Sequence, residues 1–271
     1  ATTFRQIAAD LLGWQGVVQL VTGDTAAIPR GTGTFGSRTM GAVGAALADS
    51  ARQVIEAAAP DAAEHLEAAP GDIAFERGAF RIVGTDRAVT LEALAAATGR
   101  TYEGEAWVST EASTFPNGAH AAEVEIDPET GALEVVAYHV ADDIGTVINP
   151  LLAEGQIHGG VAQGLGQALM ERMVYDEGGA LLSGSLMDYA VPRASDLAPI
   201  SVHHCPTPTR ANPLGAKGVG ESGCVGALAV GISAVCDALS VRGVDHVDMP
   251  ASPYRIWEAL RAAEKERGAE R

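Results

Sequence analysis

Phe4, Ile7, Ala8, Leu11 and Leu12 recur at helical spacing, which predicts a helix over residues 3–12 stopped by Gly13. A short apolar stretch, Val17 to Val21, predicts a strand, and the Gly/Thr/Ser segment GDTAAIPRGTGTFGSRT leads from it to an Ala-rich helix over 40–59. Residues 72–83 predict two short strands turning at Arg77-Gly78, and residues 91–97 a short helix capped by Thr90. The clearest pattern is AHAAEVEID, the turn PETG, then ALEVVAYHVADD: apolar and polar positions alternate on both sides of the turn, which predicts a β-hairpin over 119–143. A helix over 151–170 follows, then a turn and strand in DEGGALL, a loop in SLMDYAVPRASD, and a strand over 200–203. An apolar helix over 227–239 and an amphipathic helix over 254–264 close the chain.

These elements predict an α+β fold, with mixed sheets and long helices packed against them, over one domain spanning residues 1–271 with room for a sub-boundary near 118. The first helix begins at the first residues. So abrupt a start creates the expectation that further sequence precedes it, on this polypeptide or on another. The 151–170 helix carries glycines at 155, 159, 160, 164 and 166. Each costs about 1 kcal/mol relative to alanine in a helix interior, so close approach by a neighbour is expected there.

Composition narrows the function. An apolar share of 47% over 271 residues is enough for a sizeable core. Aromatic residues at 5% against 32 glycines point to tight backbone approaches and away from a sandwich packed on rings. The formal charge of -17 would repel a phosphate backbone and an anionic membrane, so no nucleic acid partner is expected. Cys205, Cys224 and Cys236 lack CxxC spacing, which signals neither a disulfide framework nor a zinc or iron-sulfur site. No apolar run comes close to the roughly 20 residues of a membrane span, and the start lacks a signal-peptide pattern, so a cytoplasmic protein without a membrane span is expected.

Three Gly-rich segments precede or open predicted helices: GTGTFGSRT at 31–39, EGQIHGGVAQGLGQ at 154–167 and NPLGAKGVGESG at 212–223. Free amides at helix N-termini, uncovered by side chains, suit an anionic or polar ligand held at close range. None has nucleotide-loop spacing. In GAKGVGES, Lys217 is followed by Gly218 and not by Ser or Thr, and GTGTFG does not sit early in a βαβ unit.

PLGAKGVGESG, with GTGTFGSRT, EVEIDPETG, DDIGTVINP, EGQIHGGVAQGLGQAL, GSLMDYAVPRASD and DMPASPYRIWEAL, resembles the xanthine oxidase family of molybdenum hydroxylases. The likeness is closest to its bacterial branch of aerobic carbon monoxide dehydrogenase-like large subunits, and it runs in order along nearly the whole chain. It implies the second, C-terminal molybdopterin-binding domain of such a subunit, holding a molybdenum-molybdopterin in its cytosine dinucleotide form. The implied reaction is oxidative hydroxylation or dehydrogenation of a small carbonyl, heterocycle or carbon monoxide-type substrate, with water as oxygen source. Glu221, inside KGVGES, matches the family's catalytic base. Gly36, Ser37, Arg38 and Thr39 match the loop that holds the pterin and its phosphate tail, and Gln163 matches a glutamine near the pterin. Lys217 and Gly220 flank the base. The implied partners are the N-terminal half of the molybdenum subunit, an iron-sulfur subunit with 2Fe-2S clusters, and a flavin subunit with FAD.

Plainer roles compete with these. A glutamate in a Gly-rich loop is ordinarily a solvated carboxylate, Arg38 and Lys217 could pair with nearby acids, Ser37 and Thr39 could cap a helix, and Gln163 could be a surface residue. His158, His203 and His204 show no ligand spacing and are read as structural, leaving no protein-ligated metal. The family's first pterin loop and its substrate-pocket loop have no counterpart in this sequence, so the chain is expected to hold at best half of the cofactor cage and to be inactive without partner chains. A large subunit split in two and an excised domain both fit; a non-catalytic scaffold or assembly module retaining the fold is the alternative.

Overall fold

The computed structural model describes residues 2–28, 30–109 and 112–269. The chain divides into two units, residues 1–114 with 208–217, and residues 115–207 with 218–271.

In the first unit, α1 (Thr2–Leu12) packs on α2 (Thr39–His65). A three-stranded antiparallel sheet, β1 (Ile73–Glu76), β2 (Ala79–Ile82) and β3 (Ala88–Thr90), precedes α3 (Leu91–Thr98). The turn at Arg77-Gly78 forms because both residues take positive φ, 50° and 79°. Thr90 caps α3 by accepting the Ala93 N–H at 3.1 Å, as its position predicts. Phe80, Leu94, Leu91 and Val89 close over Ala58 and Ala62 of α2 to make this unit's core. That burial explains why α2 runs six residues beyond the predicted stop, through Pro60 to His65: the proline removes one ladder hydrogen bond, while Ala62 and Ala63 beyond it are held against the core. The strand predicted over 17–21 does not form; Val17 is 94% exposed, and among the described residues no strand lies beside it to complete a ladder. The third strand, β3, is too short to announce itself by alternation.

In the second unit, β4 (Asn117–Ile126) and β5 (Leu133–Asp143) form the predicted hairpin, with a register shift between Glu123 and Val124. Asp127 shapes the turn by accepting the Glu129 N–H at 2.9 Å and the Thr130 hydroxyl at 2.6 Å, and these bonds hold its carboxyl below the usual carboxylate range. From β5 the chain crosses over through α4 (Pro150–Leu169) to β6 (Ile200–His204), which pairs parallel to β5 and makes the sheet mixed. α5 (Ser222–Ser240) and α6 (Pro253–Ala269) complete the unit. Its core joins Val135, Tyr138 and Val140 of the sheet to Ile157, Val161 and Leu165 of α4, with Val235 of α5 and Ile256 of α6.

Three expectations change here. DEGGALL makes only a single bridge, Tyr175 to Leu181, and no strand. α5 starts five residues earlier than its apolar run, because Ser222 and Gly223 are already helical. Contrary to the sequence-based expectation, α5 is by length and composition apolar enough to cross a membrane; it packs against α4 and β4, burying Gly223, Ala227, Gly231, Val235 and Leu239.

Candidate cofactor site and catalytic carboxylate

Segment 154–167 is not a loop. It lies wholly inside α4, so its amides are committed to the helix ladder and cannot cradle a ligand as the sequence suggested. Its glycines serve packing instead. A Cβ on Gly160 would lie 2.8 Å from the Cys224 nitrogen, and one on Gly164 2.7 Å from the Ala227 Cβ and 2.8 Å from the Cys224 carbonyl oxygen. Gly223 returns the contact, its missing Cβ facing the Ile157 carbonyl and the Val161 nitrogen. α4 and α5 therefore meet backbone to backbone. Gly155 and Gly159 face nothing within 4 Å and have no such reason.

The other two Gly-rich segments do lead into helices, and the two helices share a peculiarity. α3 and α4 carry side-chain caps, Thr90 and Asn149, the latter accepting the Leu152 N–H at 3.0 Å. α2 and α5 do not: the residues at their N-caps, Arg38 and Glu221, make no side-chain cap hydrogen bond. Their first-turn amides point out of the helix without an intrahelical acceptor, at the positive end of the macrodipole.

In the first unit, the segment Gly36–Thr39 bends into α2 with φ of 57° at Gly36 and 50° at Ser37. The left-handed region costs a residue with a side chain roughly 1–2 kcal/mol, and such strain is characteristic of ligand clamps and turns. The loop is knit internally: the Thr39 hydroxyl donates to Thr34 Oγ1 at 2.9 Å, and the exposed Arg38 donates to Thr32 Oγ1 at 3.3 Å with its guanidinium over the Phe35 ring. The loop bearing Lys217 packs beside α2's first turns, with Leu214 filling the space that a side chain at Gly44 would need and Asn212 near Gly41. Buried Asn212 braces that loop, donating to the Ala216 carbonyl at 2.8 Å and accepting the Ala216 N–H at 3.2 Å. Sequence reasoning missed this asparagine, although Asn-Pro before a Gly-rich run is itself a turn signal. Thus Gly36, Ser37, Arg38, Thr39 and Lys217 belong to one unit, and two segments of the candidate site are neighbours within it.

In the second unit, Gln163 lies on α4 and Gly220 and Glu221 lead into α5, the two helices that pack on each other. Gln163 is exposed on α4 next to Gly164, and Gly220 and Glu221 immediately precede Ser222 and the close contact at Gly223. Glu221 is also exposed, so the described residues of this chain do not themselves enclose it as a dry pocket would. Cys224 sits one turn along; burial pushes its thiol pKa up, and the Glu221 carboxylate adds to the rise. His158 and His203 are exposed, and the ring of His204 lies 3.8 Å from Glu154. Among the described residues no cluster of three or more His, Cys, Asp or Glu could hold a metal.

Comparison with known proteins gives this geometry a context. The family model of the molybdopterin cofactor-binding domain matches residues 1–198. The carbon monoxide dehydrogenase large chain of Hydrogenophaga pseudoflava is 37% identical over 272 residues, covering 96% of this chain and 34% of the relative. The nicotine 6-hydroxylase large subunit of Paenarthrobacter nicotinovorans is 34% identical over 275 residues, covering 96% of this chain and 34% of the relative. Among solved structures, a Cu,Mo-carbon monoxide dehydrogenase in its carbon monoxide reduced state superimposes with a TM-score of 0.91 at 33% identity, over 97% of this chain and 34% of that one. The chain thus spans about a third of the length of these relatives. With its first 198 residues matching the domain and its length aligning with these large chains almost end to end, the chain belongs to the molybdopterin cofactor-binding domain family of the xanthine oxidase-type enzymes.

Proposed function

We propose that this chain is the part of a molybdenum-dependent hydroxylase or dehydrogenase that grips the molybdopterin and presents Glu221 as the catalytic base. The observation that carries the reading is the pair of helices, α2 and α5, that open without side-chain caps at the two Gly-rich segments carrying the candidate residues. Such helix ends suit an anionic ligand approached by backbone. In the first unit the hydroxyls of Ser37 and Thr39, the guanidinium of Arg38 and the ammonium of Lys217 suit a phosphate tail, and in the second the amide of Gln163 suits a pterin edge.

When bound, the cofactor supplies the two-electron redox chemistry that no side chain can provide. The chain's own residues hold and aim it. Arg38 offers paired N–H donors to phosphate, Ser37 and Thr39 add hydroxyl donors, and Gln163 donates and accepts at once. Gly220 leaves the backbone bare beside Glu221, whose carboxylate takes a proton during the hydroxylation of substrate by water-derived oxygen. The remainder of the large subunit encloses the carboxylate, iron-sulfur and flavin subunits receive the electrons, and the assembly works in the cytoplasm. Substrate is a small carbonyl, heterocycle or carbon monoxide-type molecule, and the pterin carries a cytosine dinucleotide.

Arg38→Ala in the assembled enzyme tests the grip. Losing a charge-assisted phosphate contact should lower retained pterin and molybdenum together, by about tenfold after gel filtration in dilute buffer. Unchanged cofactor content would remove Arg38 from the site.

A further inference from the structure

A buried polar cluster under α5 takes no part in the site just described. The side chain of His120 on β4 is only 4% exposed and that of Asp142 on β5 only 2%. His120 Nδ1 lies 2.8 Å from the Tyr138 hydroxyl, and Nε2 lies 3.5 Å from Asp142 Oδ1. Burial, with the Asp142 charge behind it, pushes the Tyr138 pKa well above its ordinary value, so the phenol keeps its proton beside Nδ1. With Tyr138 at one ring nitrogen and Asp142 at the other, the ring is held in one orientation. The ring lies directly against α5: a Cβ on Gly226 would fall 2.5 Å from Nδ1, 2.6 Å from Cε1 and 2.7 Å from Cγ. Gly226 is five residues from Glu221, whose carbonyl accepts the Val225 N–H at 3.2 Å. The first turns of α5 are thus held between the His120 ring and the glycine contacts with α4.

We propose that His120, oriented by Tyr138 and Asp142, is a positioning residue: it seats the N-terminal turns of α5 on the sheet and so fixes where Glu221 stands. Its catalytic consequence rests on the reading of Glu221 as the base. The missing Cβ at Gly226 leaves the space that the planar imidazole occupies. His120 also has a sequence signal that was passed over, since it falls on the inward phase of the alternating strand AHAAEVEID.

The test uses the assembled enzyme. Tyr138→Phe removes the bond to Nδ1 and keeps the ring packing; Gly226→Ala crowds the imidazole from the other side. Hydrogen exchange, read by mass spectrometry, should be at least roughly tenfold faster at amides 225–228 in both variants and unchanged in β6. With molybdenum content equal to wild type, kcat should fall about ten- to a hundredfold while KM stays within about twofold, the signature of a misplaced group and not of lost substrate binding. Unchanged exchange at 225–228, or faster exchange with kcat intact, overturns the proposal. Glu221→Gln run beside them separates the two claims: if that variant turns over normally, the base assignment falls, and the exchange measurement still decides whether His120 seats the helix.

Discussion

Replacing Glu221 by glutamine is expected to lower turnover of the assembled enzyme about a hundred- to ten-thousandfold, the usual contribution of a positioned general base, while molybdenum and pterin stay fully loaded. Glutamine keeps the shape at the α5 N-cap and removes the negative charge together with the capacity to take a proton. The fold should survive, because the amide keeps the volume of an exposed carboxylate. Cys224 provides a second readout within the same variant. Its thiol pKa is raised by burial and then by the Glu221 carboxylate. Removing the charge lowers that pKa, the thiolate fraction at any fixed pH below it rises, and alkylation of Cys224 quickens. Slow turnover with unchanged Cys224 reactivity would mean that the carboxylate had moved away from α5.

The second large effect is on stability. A Cβ on Gly223 meets the Ile157 carbonyl and comes within 2.9 Å of the Val161 nitrogen, and neither is a flexible side chain that could swing aside. Gly223→Val must therefore prise α5 from α4, and a loss of roughly 3 kcal/mol or more is expected from overpacking, read as a lower urea midpoint. Gly155→Ala in α4 is the control. With nothing within 4 Å, a methyl there should raise stability by up to about 1 kcal/mol through helix propensity alone. Equal losses in the two variants would show that the glycines are not distinguished by the α4–α5 contact.

The same glycines show how far the sequence could be read. Their cost in a helix interior signalled that something comes close, and the periodicity put them on α4. Which of the five are needed depends on contacts distant in sequence: Gly160 and Gly164 meet α5, and Gly166 meets Pro192. The hairpin over 119–143 and the cap at Thr90 were legible because alternation and capping are local. The end of α2 was not, because the burial of Ala62 and Ala63 outweighs the break expected at Pro60. The same is true of the start of α5, where Gly223, which depresses helix propensity, is held helical against the α4 backbone.

At the site, motif resemblance singled out Gly36, Ser37, Arg38, Thr39, Gln163, Lys217, Gly220 and Glu221, and no local pattern would have done so. What it did not supply is how they are grouped. One set hangs on the start of α2 and the loop braced by Asn212, the other on the crossing of α4 and α5. Segment 154–167 shows the opposite error: composition resembles a ligand loop, yet the ladder consumes its amides.

Metal analysis of the purified complex containing this chain and the rest of its large subunit tests the cofactor-gripping role most directly. The account predicts molybdenum and pterin in equal amounts, about one of each per copy of the chain. A complex that is intact and holds neither would make the chain a scaffold that keeps the fold without the chemistry.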